Sequence, residues 1–222
     1  MREHISPSVR LVRTASGCPQ AAYNTHTFML DNLRPFRLVL ASNSPRRREL
    51  LGGLGIPFTV RTIDGIDESY PANLDGADIP LHIARQKAAA YLPTLAPDEL
   101  LITADTIVYL DNRVIGKPKD EDEAIRMLHT LSGRTHKVIT GVSLSTTQQT
   151  RAFAAVSLVT FAPLSEEEID YYVHTFHPLD KAGAYGVQEW IGMVGVKCIE
   201  GSYFNVMGLP VQRLYEELRA FI

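Results

Sequence analysis

Residues 38 to 51, L-V-L-A-S-N-S-P-R-R-R-E-L-L, leave the chain few local structures to choose from. Four apolar residues, Leu38 to Ala41, read as a short buried strand. Ser42 and Asn43 then make a polar turn, Ser44 is a good helix N-cap, and Pro45 takes the first helical position. Arg46, Arg47 and Arg48 follow in the first helical turn, where the helix dipole disfavours positive charge by roughly 0.3–1 kcal/mol each. Something anionic is expected to offset them. Backbone N–H groups, the hydroxyls of Ser42 and Ser44, and guanidinium groups converging at a strand end suit a polyphosphate, because amides and arginines both donate to phosphate oxygens.

With 222 residues and 45% apolar content, the chain can bury a full core, and one domain with two lobes is expected. A formal charge of −3 excludes an overall basic field for wrapping duplex nucleic acid, so any positive potential is local. Cys18 and Cys198 lie far apart in sequence and read as a reduced cytosolic pair. No apolar run approaches the ~18 residues of a membrane span, and the N-terminus lacks the apolar centre of a secretory signal. A cytoplasmic protein is the expectation. Residues 1–36, with arginines against only Glu3 and Asp31, faintly resemble a transit peptide and read as an N-terminal extension or mobile tail. Residues 37–222 then form the folded domain.

After the opening helix, Gly55 gives a stop and Ile56 to Val60 reads as a second strand. Asp78 reads as the cap of a helix over 79–92, with Arg85, Gln86 and Lys87 spread around its polar surface. The run over 100–109, L-L-I-T-A-D-T-I-V-Y, is β-rich, and Asp111-Asn112 turns it into a partner strand over 113–117. Asp120 with Glu123, and Ser165 with Glu168, are capping boxes that open two further helices. Between them, 136–145 and 151–161 read as strands. A Gly-rich loop over 180–188 precedes a hairpin-like 193–207, and Pro210 starts a last amphipathic helix. Strands and helices intermingle, so the fold class is α/β with a mixed sheet.

Asp105 is the first candidate for chemistry, since a lone carboxylate inside an apolar strand is expensive unless paired, protonated or bound to metal. Position alone leaves open a strand-end acid that faces solvent or pairs with Lys117. Glu68, near the end of the second strand, is a possible second acid; the two beside a cationic pocket would hold a divalent ion. Lys117, between Gly116 and Pro118, sits on a bent strand end that aims its ammonium into a cleft. Lys181 could meet phosphate, and the Gln188 amide can donate and accept, as reading a base edge requires. His174 and His177 have no third ligand nearby and read as a solvated helix end, and Trp190 reads as core or interface. There is no Walker loop, G-x-G-x-x-G or G-x-S-x-G, which removes support for kinase, dinucleotide and serine-hydrolase chemistry.

Taken together, A-S-N-S-P-R-R-R-E-L-L at 41–51, A-R-Q-K-A at 84–88, A-D-T-I-V at 104–108 and G-K-P at 116–118 resemble the Maf-like nucleoside triphosphate pyrophosphatases. So do L-S-G at 131–133, D-K-A-G-A-Y-G-V-Q at 180–188 and G-S-Y-F-N-V-M-G-L-P at 201–210. The resemblance implies a two-lobed mixed-sheet fold similar to the inosine triphosphate pyrophosphatase group, with a phosphate cleft between the lobes. It implies hydrolysis of a nucleoside triphosphate to the monophosphate and pyrophosphate, with Mg²⁺ or Mn²⁺ as cofactor. By position, Asp105, Glu68 and Lys117 are the catalytic group, with Asp105 and Glu68 on the metal. Ser42, Ser44, Arg46, Arg47, Lys87, Lys117 and Lys181 meet phosphates, and Arg46, Thr106 and Gln188 are the specificity positions. A-D-T and A-Y-G-V-Q look like the branch acting on dTTP, UTP and modified pyrimidine analogues. The alternatives are 7-methyl-GTP or another modified base, or a nucleotide-sensing or nucleic-acid-binding regulator without chemistry. A homodimer is implied by analogy alone. Glu189-Trp190 is bulky beside the proposed base site.

Overall fold

The computed structural model describes residues 12–13, 19–20 and 30–221. The expected tail, the transit-peptide likeness and Cys18 fall largely or wholly outside the described residues. Val12–Arg13 (β1) and Pro19–Gln20 (β2) form a small antiparallel pair. The main sheet starts with Arg37–Leu40 (β3), which leads through Pro45–Gly52 (α1) to Phe58–Val60 (β4). Ser44 caps α1 by accepting from Arg47 N at 3.4 Å, as its sequence suggests. Asp78–Tyr91 (α2) then crosses to Glu99–Leu110 (β5). Asp78 is not the cap expected of it: it lies in the first turn, and Ala77 precedes the helix with no side-chain cap.

Asp111 and Asn112 both take positive φ, which closes β5 onto Arg113–Ile115 (β6) in a two-residue hairpin. Glu121–Leu131 (α3) follows its Asp120 cap, Thr135–Ser145 (β7) and Thr150–Phe161 (β8) form a long hairpin, and Glu166–Phe176 (α4) has the full Ser165–Glu168 capping box. The hairpin expected over 193–207 is corrected to Trp190–Gly195 (α5), Val196–Glu200 (β9) and Tyr203–Met207 (α6). The Ser202 hydroxyl accepts from Asn205 N and Gly208 ends the turn at φ 113, so local capping overrides the aromatic, strand-like residues. Val211–Arg219 (α7) closes the chain. Among the described residues, no helix is long and apolar enough to cross a membrane.

The sheet runs β4-β3-β5-β7-β8-β9, with β6 on the β3 edge of β5. It is mixed, because β3 is parallel to both β4 and β5 while every later pair is antiparallel. Alternation along β5 sorts the interior. Leu100, Ile102 and Ala104 join α1 and α7 in one core, and Val108 and Leu110 join α3 and α4 in a second. On the opposite face, Leu101, Ile107 and Tyr109 meet residues of α2. Leu30 and Leu33 are also buried in the first core, and Asn32 donates to Leu218 O at 2.8 Å, so packing begins before Arg37.

Gly141 of β7, register partner of Asp105, decides how closely α2 lies on the sheet. A Cβ there would fall 2.4 Å from the Pro80 carbonyl carbon and oxygen, both backbone atoms of α2 that cannot swing away. Gly141→Ala is therefore expected to lift the helix and destabilise the protein by about 1–3 kcal/mol, read as a lower urea midpoint with an unchanged slope.

Candidate active site

On one edge, β3 pairs with residues 99–102 of β5 and β6 with residues 108–110, so the stretch between has no strand beside it. A cleft of about 790 Å³ opens along this gap. The N-terminus of α1 walls one side, Gly116 and Lys117 another, and the 180–188 segment and Gly208 lie beyond. Within the gap, the Ala104 carbonyl still needs a donor, and Arg47 Nη1 provides it at 2.9 Å. Arg47 Nε donates to Gly208 O at 2.9 Å and Nη2 to the Thr106 hydroxyl at 3.0 Å. Burial lowers the Arg47 pKa from its usual value against the opposing pull of Asp105.

Its neighbours in the arginine run have other partners. Arg46 Nη1 reaches Asp180 Oδ2 at 3.3 Å, and Arg48 curls back to the Ser42 carbonyl at 3.4 Å from both Nε and Nη2. Arg48 is exposed, yet it ties the turn. The Ser42 hydroxyl accepts from Ser44 N at 3.2 Å, which holds the strand-to-helix turn.

Asp105 does not pair with Lys117. Its partner is Lys87 of α2, whose Nζ lies 2.9 Å from Asp105 Oδ1 and 3.0 Å from Glu68 Oε1. A helical lysine that looked solvated is thus only 14% exposed and held between the two candidate acids. Lys117 is exposed and lines the cleft, and among the described residues it makes no ion pair or side-chain hydrogen bond. Its backbone is fixed, since Gly183 N donates to Gly116 O at 2.9 Å.

Lys181 is buried, with Nζ 2.6 Å from Asp180 Oδ1 and 3.1 Å from Glu189 Oε1. Burial raises the Asp180 pKa, but Lys181 and Arg46 outweigh it and the net shift is downward. Thr106 Oγ1 also meets Thr140 Oγ1 at 3.0 Å, which passes on to Asn205 O. Gln188 lines the cleft with no side-chain hydrogen bond among the described residues. Behind it, His136 Nε2 meets the Tyr185 hydroxyl at 2.7 Å, and burial lowers the His136 pKa to about 4.

No cluster of three or more histidines, cysteines or carboxylates suited to a metal occurs among the described residues. Two carboxylate oxygens instead converge on one ammonium. That donor set fits a hard divalent ion, commonly bound through one or two carboxylates with substrate phosphates completing the shell. His177 Nδ1 meets Glu121 Oε1 at 2.9 Å, tying α4 to α3.

Residues 37–221 match the family described as Maf-like protein. The chain belongs to this family. It is 63% identical to a protein of Phocaeicola vulgatus named dTTP/UTP pyrophosphatase, over 86% of this chain and 99% of that one. A Porphyromonas gingivalis relative of the same name is 56% identical over 87% of this chain and 98% of its own length. Among solved structures, the Ham1 protein of Staphylococcus aureus aligns with a TM-score of 0.40 and 16% identity, over 57% of this chain and 72% of that one.

Three Maf residues to which the sequence assigns no role shape the cleft. Asp180 bridges Arg46 and Lys181, Glu189 backs Lys181, and Gly141 admits α2. The available signal was an acid on either side of the Gly-rich loop, matching its buried lysine. The cations also divide by task. Arg47→Ala removes the donor to Ala104 O, Gly208 O and the Thr106 hydroxyl and is expected to lower stability by about 2 kcal/mol. Lys117→Ala is expected to shift it by no more than about 0.5 kcal/mol, both read by urea denaturation.

Proposed function

We propose that this Maf protein acts in the cytoplasm as a pyrophosphatase that hydrolyses dTTP and UTP to the monophosphate and pyrophosphate. The observation that carries the reading is the convergence of Asp105 and Glu68 on Lys87, in a cleft also lined by Arg46, Lys117 and Lys181. The names of the relatives supply the substrate class. A pure anion binder gains nothing from two carboxylates at its centre, whereas a triphosphate carried with a divalent ion uses both charges.

Asp105 and Glu68 would hold Mg²⁺ or Mn²⁺ against the phosphates, where the ion neutralises charge and polarises phosphoryl oxygen. Asp105 orients a water toward the α-phosphorus and takes up its proton. The new oxygen–phosphorus bond forms as the bond from the α-phosphorus to the bridging oxygen breaks, and the electron pair leaves with pyrophosphate. Arg46, Lys117 and Lys181 stabilise the charge that gathers on the departing group, and Lys87 moves from carboxylate to phosphate. Arg47 supports the phosphate site through Thr106 and the Ala104 carbonyl. Ser42 and Ser44 meet phosphate at the helix start, and Thr106 with Gln188 faces the base. A homodimer belongs to the same proposal, tested by sedimentation.

Asp105→Asn preserves size and is expected to cut pyrophosphate release by roughly 10²–10⁴-fold while the far-UV spectrum stays unchanged. Full turnover in that variant refutes the assignment. Initial rates over dTTP, UTP, dCTP, GTP and 7-methyl-GTP test the base class, and a chelator is expected to abolish activity that Mg²⁺ or Mn²⁺ restores.

A further inference from the structure

Glu189 does not line the cleft, yet three elements around the base-facing segment meet at its carboxylate. Oε1 pairs with Lys181 Nζ at 3.1 Å. Oε2 accepts from the Tyr172 hydroxyl at 2.5 Å, and that hydroxyl in turn accepts from Gly186 N at 3.0 Å. The carboxyl group also fills the space beside Gly186, where a Cβ would lie 2.7 Å from Glu189 Cδ. Its own backbone N donates to Gly186 O at 3.0 Å, so residues 186–189 form one closed turn.

Tyr172 is fully buried on α4, so this turn is anchored to the second core, and the Glu189–Lys181 pair ties it to the phosphate side of the cleft. Gln188 lies inside the turn and has no side-chain hydrogen bond of its own among the described residues. Its placement therefore depends on the backbone that Glu189 and Tyr172 hold. We infer that Glu189 is a positioning residue for base choice: it fixes turn 186–189, and through it Gln188, without touching the nucleotide. This rests on the pyrimidine triphosphate reading above. An amide offers donor and acceptor on one edge and exchanges them when rotated half a turn, so a loosely held Gln188 serves cytosine as readily as thymine or uracil.

The test is the ratio of kcat/KM for dTTP over dCTP, measured by pyrophosphate release. Glu189→Ala is expected to lower the ratio about tenfold, the worth of one hydrogen bond, while any fall in kcat from the unpaired Lys181 is shared by both nucleotides and cancels in the ratio. Glu189→Gln, whose amide oxygen still accepts from Tyr172, is expected to recover most of it. Tyr172→Phe removes a single hydroxyl, is expected to lower the ratio as well, and carries the test if Glu189→Ala does not fold. A wild-type ratio in Glu189→Ala or Tyr172→Phe overturns the inference, whatever the change in kcat common to both nucleotides. A wild type with no preference for dTTP overturns it too. A wild type that releases pyrophosphate from no triphosphate overturns the activity reading and this inference together, whereas an active wild type beside indifferent variants overturns this inference alone.

Discussion

β5 has twelve residues, but on one edge β3 and β6 cover only its two ends. The uncovered middle leaves backbone carbonyls that need donors, and a gap wide enough for a ligand. A helix start fills one side of that gap and a lysine-bearing strand end the other, so the groups suited to phosphate face each other across it. Arg47 is the piece that makes the gap tolerable. By bonding Ala104 O it replaces the missing strand, and by bonding Gly208 O it joins the C-terminal segment to the same wall.

The cleft is rich in cations, but most of them are matched. Arg46 and Lys181 share Asp180, Lys181 also meets Glu189, and Lys87 lies between Glu68 and Asp105. Pairing lowers the cost of holding like charges together in a partly dry space. It also means that a triphosphate competes with protein carboxylates for each cation, and a divalent ion shifts that competition by taking over the acids. Arg47 bonds only neutral oxygens, and Lys117 alone among the described cleft cations has no side-chain partner, standing exposed on a fixed backbone, ready for the first contact.

Much of this was legible in the chain. Ser44 with Pro45, Asp120 with Glu123 and Ser165 with Glu168 marked three helix starts correctly, because capping depends on residues a few positions apart. Asp105 stood out because one charge in an apolar strand is conspicuous. Its partner was not legible: Lys87 meets it only because Gly141 lets Pro80 close on the sheet, a contact between two distant elements. The misreading of 203–207 as a strand has a different cause. Tyr203, Phe204 and Val206 favour extended structure, and only Ser202 and Gly208 at the ends, with Asn205 buried between them, turn the segment into a helix.

The arginine triplet shows how little residue type alone decides. Successive helical residues point about 100° apart, so three identical side chains at the start of α1 must meet three different surroundings. Arg46 faces the loop acid Asp180, Arg47 the open edge of β5, and Arg48 the turn that precedes the helix. The positive charge that the helix dipole opposes is thus offset in part by the protein itself, through one carboxylate and four neutral oxygens. Of the three, Arg46 alone bonds a carboxylate, and an anionic ligand entering the cleft competes with that acid for it.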